Sequence, residues 1–210
     1  MRPFPALVRA WLVSLGACAA AGAFAFGHID VPTARYFWRF GRFLHPLNKP
    51  FGAALIVALE SVVILTLVLA RLLRGHLSRL AQTLALACLA SMCAYGVNSL
   101  VLKPFFGIPT PTAVLHGARH ALSLLQGSPM SSFPSGHMVL AGAFAGVFMR
   151  LYRATLWPLA ALLLLAAALL VIGDWHFLSD VLAGSFLGIS AGVLAAEAWS
   201  VHHSHPVTSM

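Results

Sequence analysis

Long apolar stretches, separated by short segments that hold most of the charged residues, make up most of the chain. Six such stretches lie at residues 10–27, 50–70, 80–102, from about 133 or 137 to 149, 154–173 and about 179–200. A helix needs about 20 apolar residues to cross the hydrocarbon core of a bilayer, and tilt or local thinning absorbs modest differences in length. No internal repeat divides the sequence. The pattern therefore predicts an all-α fold, with six transmembrane helices in one bundle that forms a single domain over residues 1–210.

Composition excludes the soluble and disordered classes of protein. Hydrophobic residues make up 60% of the 210 positions, charged residues make up only 9%, and the mean hydropathy is +0.89. In a soluble domain about a quarter of the residues are charged. Because so few charges cannot cover the surface of a water-soluble domain, we expect an integral membrane protein that has the lipid bilayer as a partner.

The net charge of +8 is explained better by membrane topology than by a nucleic-acid partner. The 13 Lys and Arg residues lie mostly between the apolar stretches, where they would orient helices and meet anionic lipid. The sequence has no clustered basic run of the kind that nucleic acid requires, so no nucleic acid is expected. The three cysteines lie inside apolar stretches without metal-ligand spacing and are predicted to be small core residues. The oligomeric state stays open.

The basic residues also predict the orientation. The strongest signal is Arg71, Arg74 and Arg79 in one tight turn between long helices, where the positive-inside rule is most reliable. This turn favours a cytoplasmic N-terminus, and hence a bacterial inner-membrane protein whose opposite end faces the periplasm. The cytoplasmic set is then Arg2, Arg9, Arg71, Arg74, Arg79, Arg150 and Arg153, and the opposite set is Arg35, Arg39, Arg42, Lys49, Lys103 and Arg119.

The first apolar stretch and the segment after it allow alternatives. Arg2, Arg9 and the small-residue pattern Ala23-Phe24-Ala25 resemble a signal peptide, but the length of the apolar run, 18 residues, favours a retained helix. Residues 30–49 interleave basic and aromatic side chains. That pattern suits either an amphipathic helix in the membrane interface or a solvated loop.

In the predicted topology several ionisable residues meet at the exterior end of the bundle. Lys103 ends the third span, His137 begins the fourth, and His176 and Asp180 begin the sixth. The long connection over residues 103–133 lies on the same side of the membrane. Ionisable groups at this depth are candidates for function by default.

Part of this cluster is suited to hold an anion. The starts of two helices present unpaired backbone N–H groups and positive dipole ends, which together bind anions. Lys103 adds a full positive charge, Ser135 supplies a hydroxyl donor, and Gly136 lets the backbone come close to a ligand. These residues predict a cradle for a phosphate group.

The remaining residues are suited to nucleophilic and acid chemistry. His176 and Asp180 are four positions apart, which places both on one face of a helix. The carboxylate can then fix the tautomer of the imidazole and stabilise its cation. His137, on the neighbouring helix, is placed to protonate a leaving oxygen. An anion cradle with a nucleophile, an orienting group and an acid predicts phosphoryl transfer.

These residues resemble the type 2 phosphatidic acid phosphatase superfamily of membrane lipid phosphatases. The resemblance covers about residues 100–190 by motif and the whole chain by its six-helix layout. The matching segments are Lys103 with Pro111 downstream, Pro134-Ser135-Gly136-His137, and the stretch from His176 to Gly184.

The resemblance implies both an activity and the roles of the site residues. His176 would be the nucleophile, Asp180 would orient it, and His137 would be the general acid. Lys103, Ser135 and Gly136 would bind the phosphate, with neither a metal nor another cofactor. The expected enzyme is a phosphatase that removes phosphate from a membrane lipid phosphate or diphosphate through a phosphohistidine intermediate.

Two arginines of the family pattern are absent. Thr110 stands before Pro111 where the first motif has an arginine, and residues 169–172 are apolar where the third motif has another. Arg150 is too distant to substitute, because 13 residues of helix, about 20 Å, separate it from His137. Arg119 lies in the connection over the site and is predicted to bind phosphate in place of an absent arginine.

The missing arginines keep two other functions open. One is a lipid phosphotransferase, in which a lipid or sugar hydroxyl replaces water as the acceptor. The other is a non-catalytic member that binds lipid phosphate. Two polar residues within the spans, Glu60 and Asn98, are predicted to form hydrogen bonds between helices.

Overall fold

The computed structural model describes residues 4–41 and 52–204, which contain helices, turns and loops and no strand. In these two ranges, three short helical turns, Ala25–Ile29, Asn98–Leu102 and Arg153–Thr155, link some of the α-helices. Arg2, Arg42 and Lys49 of the orientation argument lie outside the described residues. The helices are α1 (Phe4–Phe24), α2 (Asp30–Gly41), α3 (Ala53–Arg74), α4 (Arg79–Val97), α5 (Lys103–Phe106), α6 (Pro111–Leu115), α7 (Gly136–Leu151), α8 (Leu156–Ile172) and α9 (Leu178–Ser204).

The predicted all-α membrane fold is confirmed, but the predicted number of six spans is not. Within the described residues, five helical stretches are long and apolar enough to cross a membrane, namely Val8–Arg39, Ala53–Arg74, Arg79–Leu115, Arg153–Ile172 and Leu178–His202. The fourth predicted span corresponds to α7, whose 16 residues are about 24 Å long. α7 packs against α4, α8 and α9 and is among the most buried helices. It is therefore shielded by other helices along much of its length.

The first span is longer than the sequence indicates. A π-helical turn at Ala25–Ile29 joins α1 to α2, so the residues predicted as an interfacial helix or a loop continue the first helix as far as Gly41. α1 packs on α9, where the Trp11 indole N–H donates to Ser190 Oγ at 3.0 Å. Retention of this helix, as opposed to its removal as a signal peptide, stays a prediction.

Glycines on α9 allow it to lie directly against α7. Gly184, Gly188 and Gly192 recur every fourth residue and therefore share one face. A Cβ atom on Gly188 would lie 2.5 Å from the carbonyl oxygen of Val139, and one on Gly192 would lie 2.1 Å from that of Ala143. Small residues of this kind let membrane helices approach at backbone distance. This contact sets the two helix starts that carry the candidate site side by side.

Gly188→Ala is expected to destabilise the protein by about 1–3 kcal/mol, because the added methyl group would force two backbones apart. Gly96→Ala is the matched control, since a Cβ there meets nothing within 4 Å. Thermal unfolding of the purified variants in detergent measures the difference. Equal unfolding temperatures for the two variants would show that α7 and α9 are not in backbone contact.

Candidate active site

His176 and Asp180 meet in a different way from the one predicted. α9 begins at Leu178, so His176 precedes the helix and does not lie on its face. Asp180 turns back over the helix start and accepts the backbone N–H of Phe177 at Oδ2, 2.8 Å away. This is the carboxylate half of a capping box. The cap holds the fully buried Asp180 carboxylate 3.4 Å from Nδ1 of His176.

Ser132 is a part of the site that the sequence did not single out. Its hydroxyl donates a short hydrogen bond to Oδ2 of Asp180, and its Oγ lies 3.4 Å from Nδ1 of His176. The Nδ1 edge of the imidazole therefore faces a carboxylate and a hydroxyl. An N–H at Nδ1 suits these neighbours, and that tautomer leaves the lone pair on Nε2.

The Nε2 edge of His176 faces His137. Nδ1 of His137 lies 3.3 Å from Nε2 of His176, and the ring of Trp175 packs beside His137 with 5.9 Å between the ring centroids. His137 is the second residue of α7, so the close contact between α7 and α9 places this pair. An atom that reacts at Nε2 would be within reach of a proton on His137.

The start of α7 is tied to the start of α9. Ser135 is the N-cap of α7 and accepts the N–H of Met138 at 3.4 Å, which leaves its own hydroxyl proton free to donate. The Ser135 N–H donates to the carbonyl of Asp180 at 3.0 Å. Gly136 has a packing role beyond the predicted approach to a ligand, since a Cβ there would lie 2.8 Å from the ring of Tyr95.

Lys103 is buried at the start of α5, close enough to Asp180 for the two charges to attract. Within residues 8–39 and 52–202, it is the only Lys or Arg that is buried. Asn98, in the turn before it, donates to the carbonyl of Pro134 at 3.2 Å. This bond links the α4–α5 segment to the entry of α7, as predicted for Asn98.

The connection between α5 and α7 folds back over the site. Its backbone hydrogen bonds include Gly127 N–H to the Pro104 carbonyl at 3.0 Å and Ser132 N–H to the Ile108 carbonyl at 2.7 Å. Gly107 has a φ of +60°, and a Cβ there would lie 2.3 Å from the Ser123 carbonyl oxygen. Only glycine fits such a turn at such a distance. These contacts place Ser132 beside His176.

His120 enters the core of the site region, whereas its neighbour Arg119 is exposed. The ring of His120 packs against Phe26 and Phe177, with centroids 4.3 Å and 4.4 Å away, and its Nε2 lies 3.7 Å from Oδ2 of Asp30. Burial lowers the pKa of His120, and nearby Asp30 opposes that shift. Within the described chain, no hydrogen bond or ion pair of the Arg119 guanidinium is present.

Asp30 is the second residue that the sequence analysis missed. It is buried at the junction of α1 and α2 and accepts both the backbone N–H of Ser179, at 3.1 Å, and its hydroxyl, at 2.5 Å. Asp30 therefore holds the first turn of α9 from outside, next to Asp180. An acidic residue at the end of a predicted membrane span was the available signal.

Structural elements occupy both positions of the absent arginines. Thr110 is the N-cap of α6 and accepts the N–H of Ala113 at 3.3 Å. Residues 169–172 form the last turn of α8. A phosphate in this site would therefore depend on Lys103, the two helix starts and any side chain that the connection supplies.

Comparison with known proteins supports the motif analysis. The model of the PAP2 superfamily matches residues 80–203, which include every residue of the candidate site described above apart from Phe26 and Asp30. No curated protein and no solved structure matches the chain significantly.

Asp174, two residues before His176, makes the stability depend on pH. It is buried with a positive φ of 53°, and burial raises the pKa of its carboxyl to about 7. The folded state therefore favours the protonated carboxyl. The stabilisation of the fold by protonated Asp174 is complete below about pH 4 and is lost as the pH rises to about 7. As the pH rises through that window, the Asp174→Asn variant should become progressively more stable than the wild type. Unfolding at a series of pH values measures this difference. A constant difference from pH 4 to 8 would contradict this assignment.

Proposed function

Because the chain belongs to the PAP2 superfamily, whose members are generally phosphatases, we propose that it removes phosphate from a membrane lipid phosphate or diphosphate through a phosphohistidine. The observation that carries this proposal is the environment of the His176 ring. Its Nδ1 edge lies against Asp180 and Ser132, and its Nε2 edge faces His137. This is the arrangement that an imidazole nucleophile needs.

In the first step Nε2 of His176 attacks phosphorus. A nitrogen–phosphorus bond forms while the bond from phosphorus to the leaving oxygen breaks. Protonated His137 gives its proton to that oxygen, and the lipid leaves as an alcohol, or as a monophosphate if the substrate is a diphosphate. Asp180 and Ser132 stabilise the positive charge that develops on the His176 ring.

In the second step water hydrolyses the phosphohistidine. His137, now neutral, accepts a proton from the attacking water, and the nitrogen–phosphorus bond breaks to return His176 and release phosphate. Lys103, the Ser135 hydroxyl and the backbone N–H groups at the start of α7, including that of Gly136, hold the phosphate oxygens through both steps. Preorganised donors of this kind are a major source of rate acceleration in charged transition states.

A lipid substrate is supported by the position of the site. His137 and His176 lie at the ends of apolar helices that are long enough to span a membrane, or that pack among such helices. A lipid headgroup at the interface would reach that level without leaving the bilayer. With a cytoplasmic N-terminus, the site faces the periplasm of a bacterial inner membrane.

His176→Ala should lower phosphate release by at least about 10³-fold, because it removes the nucleophile. The assay is phosphate release by the purified protein from a panel of lipid phosphates and diphosphates, without added metal. His116→Ala is the matched control, since this exposed histidine contacts Trp38 and the Thr112 carbonyl and should leave turnover unchanged. Phosphate release that survives in His176→Ala would refute the proposal.

Transfer to an acceptor is the second candidate, and the two absent arginines favour it because they indicate a substrate other than a simple phosphate monoester. Labelled phosphohistidine, trapped and chased with candidate lipid or sugar alcohols, distinguishes the two reactions. Equal hydrolysis with and without acceptors would exclude transfer to those acceptors. A non-catalytic binder of lipid phosphate would instead keep its function in His176→Ala.

Arg119→Ala should lower kcat/KM by about ten- to a hundredfold, as expected for the loss of a charge-assisted phosphate contact of about 1.5–3 kcal/mol. The reason is that Arg119 lies in the connection over the site, next to His120, whose ring packs on Phe177, and we expect the connection to close on the substrate and bring the guanidinium to the phosphate. Arg35→Ala, another exposed arginine on the predicted exterior side, is the control. A kcat/KM of Arg119→Ala within a factor of two of the wild-type value would contradict this role for Arg119.

A further inference from the structure

A partly open apolar cavity lies in the membrane-spanning part of the bundle, among α3, α4, α7 and α8, and Leu59 and Leu162 of its lining are more than half exposed. Its volume is about 460 Å³, within the range of about 300–1,000 Å³ that small-molecule sites occupy. Its described lining consists of aliphatic side chains, Phe144, Cys88 and one charged residue, Glu60. This composition suits a hydrocarbon chain that carries a polar group at one point.

The cavity lies on the face of α7 that also carries His137. The four α7 residues that line it follow His137 by three, four, seven and eight positions, which is the spacing of one helical face. The end of the cavity nearest to the candidate site therefore begins about one helical turn along α7, about 5 Å, from His137, the candidate acid. A lipid whose phosphate is at His176 could extend its chain along this face. The four residues are Leu140, Ala141, Phe144 and Ala145.

Glu60 is carried by α3 and lines the cavity opposite this face of α7. Its carboxyl group is close to Ser91 of α4, and the Ser91 hydroxyl donates to the carbonyl of Leu140 at 3.0 Å. These contacts place Glu60 near the level of Leu140, three residues below His137. Along the axis of α7, the level of Glu60 is therefore separated from that of His137 by about one helical turn, roughly 5 Å.

One oxygen of Glu60 has no partner in the described structure. Glu60 is 7% exposed, and its Oε2 is buried and makes no hydrogen bond with a described residue. A buried polar atom that makes no hydrogen bond raises the free energy of the folded protein, and an ionisable group within the membrane is a candidate for function. In its ionised form Glu60 only accepts hydrogen bonds. Its free oxygen is then satisfied by a hydrogen-bond donor, which the hydrocarbon part of a lipid does not have.

We propose that this cavity receives the chain of the substrate and that Glu60 selects lipid phosphates with a free hydroxyl or N–H a few bonds from the phosphate ester. This inference rests on the proposed lipid phosphatase activity and narrows its substrate class. A lipid with one acyl chain and a free backbone hydroxyl meets the requirement. A diacyl or isoprenoid phosphate has no such donor and leaves the oxygen of an ionised Glu60 without a partner.

The test compares lysophosphatidate, which has a free glycerol hydroxyl, with its O-methyl ether. The wild type should prefer the free hydroxyl by about three- to tenfold in kcat/KM, as expected for one buried hydrogen bond. Glu60→Leu should lose the preference, while Glu60→Gln, which keeps a carbonyl acceptor, should retain part of it. Val63→Ala, in the same cavity, should change both substrates alike and keep the ratio.

Binding of non-hydrolysable phosphonate analogues of the same pair separates this inference from the activity. If binding shows a preference that depends on Glu60 but neither lipid phosphate is hydrolysed, the proposed phosphatase activity is refuted and the role of Glu60 in lipid binding is supported. Hydrolysis of both lipids at equal rates would leave the phosphatase standing and overturn the role of Glu60. A preference that survives Glu60→Leu would overturn it as well.

Discussion

The site depends on the backbone contact between α7 and α9. His137 is carried by the first turn of α7, and His176 directly precedes α9, so the separation of these helices sets the distance between the two rings. Glycines at every fourth position of α9 bring the helices together, and the Ser135 N–H closes the contact on the carbonyl of Asp180. In a bilayer, where lipid is as apolar as the side chains, close packing of this kind is a main source of helix association.

Two buried carboxylates hold the start of α9 in place. Asp180 accepts the N–H of Phe177, and Asp30, from the first span, accepts the N–H and hydroxyl of Ser179. Helix starts leave backbone N–H groups without partners, and burial makes such groups costly. The same carboxylate that satisfies the Phe177 N–H also faces Nδ1 of His176. Asp180 therefore both caps α9 and orients the proposed nucleophile. Ser132, in the connection between α5 and α7, contacts the same two side chains, Asp180 and His176.

Positive charge is sparse around this arrangement. Lys103 is the one buried cation in the part of the chain described at side-chain level, and the positions of the two absent arginines form a helix cap and an apolar helix end. In the proposed reaction the phosphate therefore depends more on backbone N–H groups at helix starts than on guanidinium groups. Backbone donors are fixed in place by the fold, so they lose little entropy when they bind an anion.

The sequence by itself determined the all-α membrane class and the approximate positions of the long apolar helices, because each such helix needs a run of apolar residues that is visible without any partner. It did not determine the extent of the first helix or the number of spans. The motifs with Lys103, His137 and His176 also identified the end of the bundle at which the ionisable residues meet. Asn98 was correctly expected to bond across helices, since a buried amide in an apolar span needs a partner.

The tertiary structure decided which side chains share the site. Ser132 and Asp30 contact residues that are 44 to 149 positions away, and no local periodicity encodes such a pairing. His120 turns inward while Arg119 stays exposed, because the path of the connection and the aromatic rings of Phe26 and Phe177 bury only one of these two adjacent side chains. The cavity at Glu60 likewise exists only where four helices meet. Local sequence sets which segments become helical, whereas packing between distant segments sets which faces meet and what lies between them.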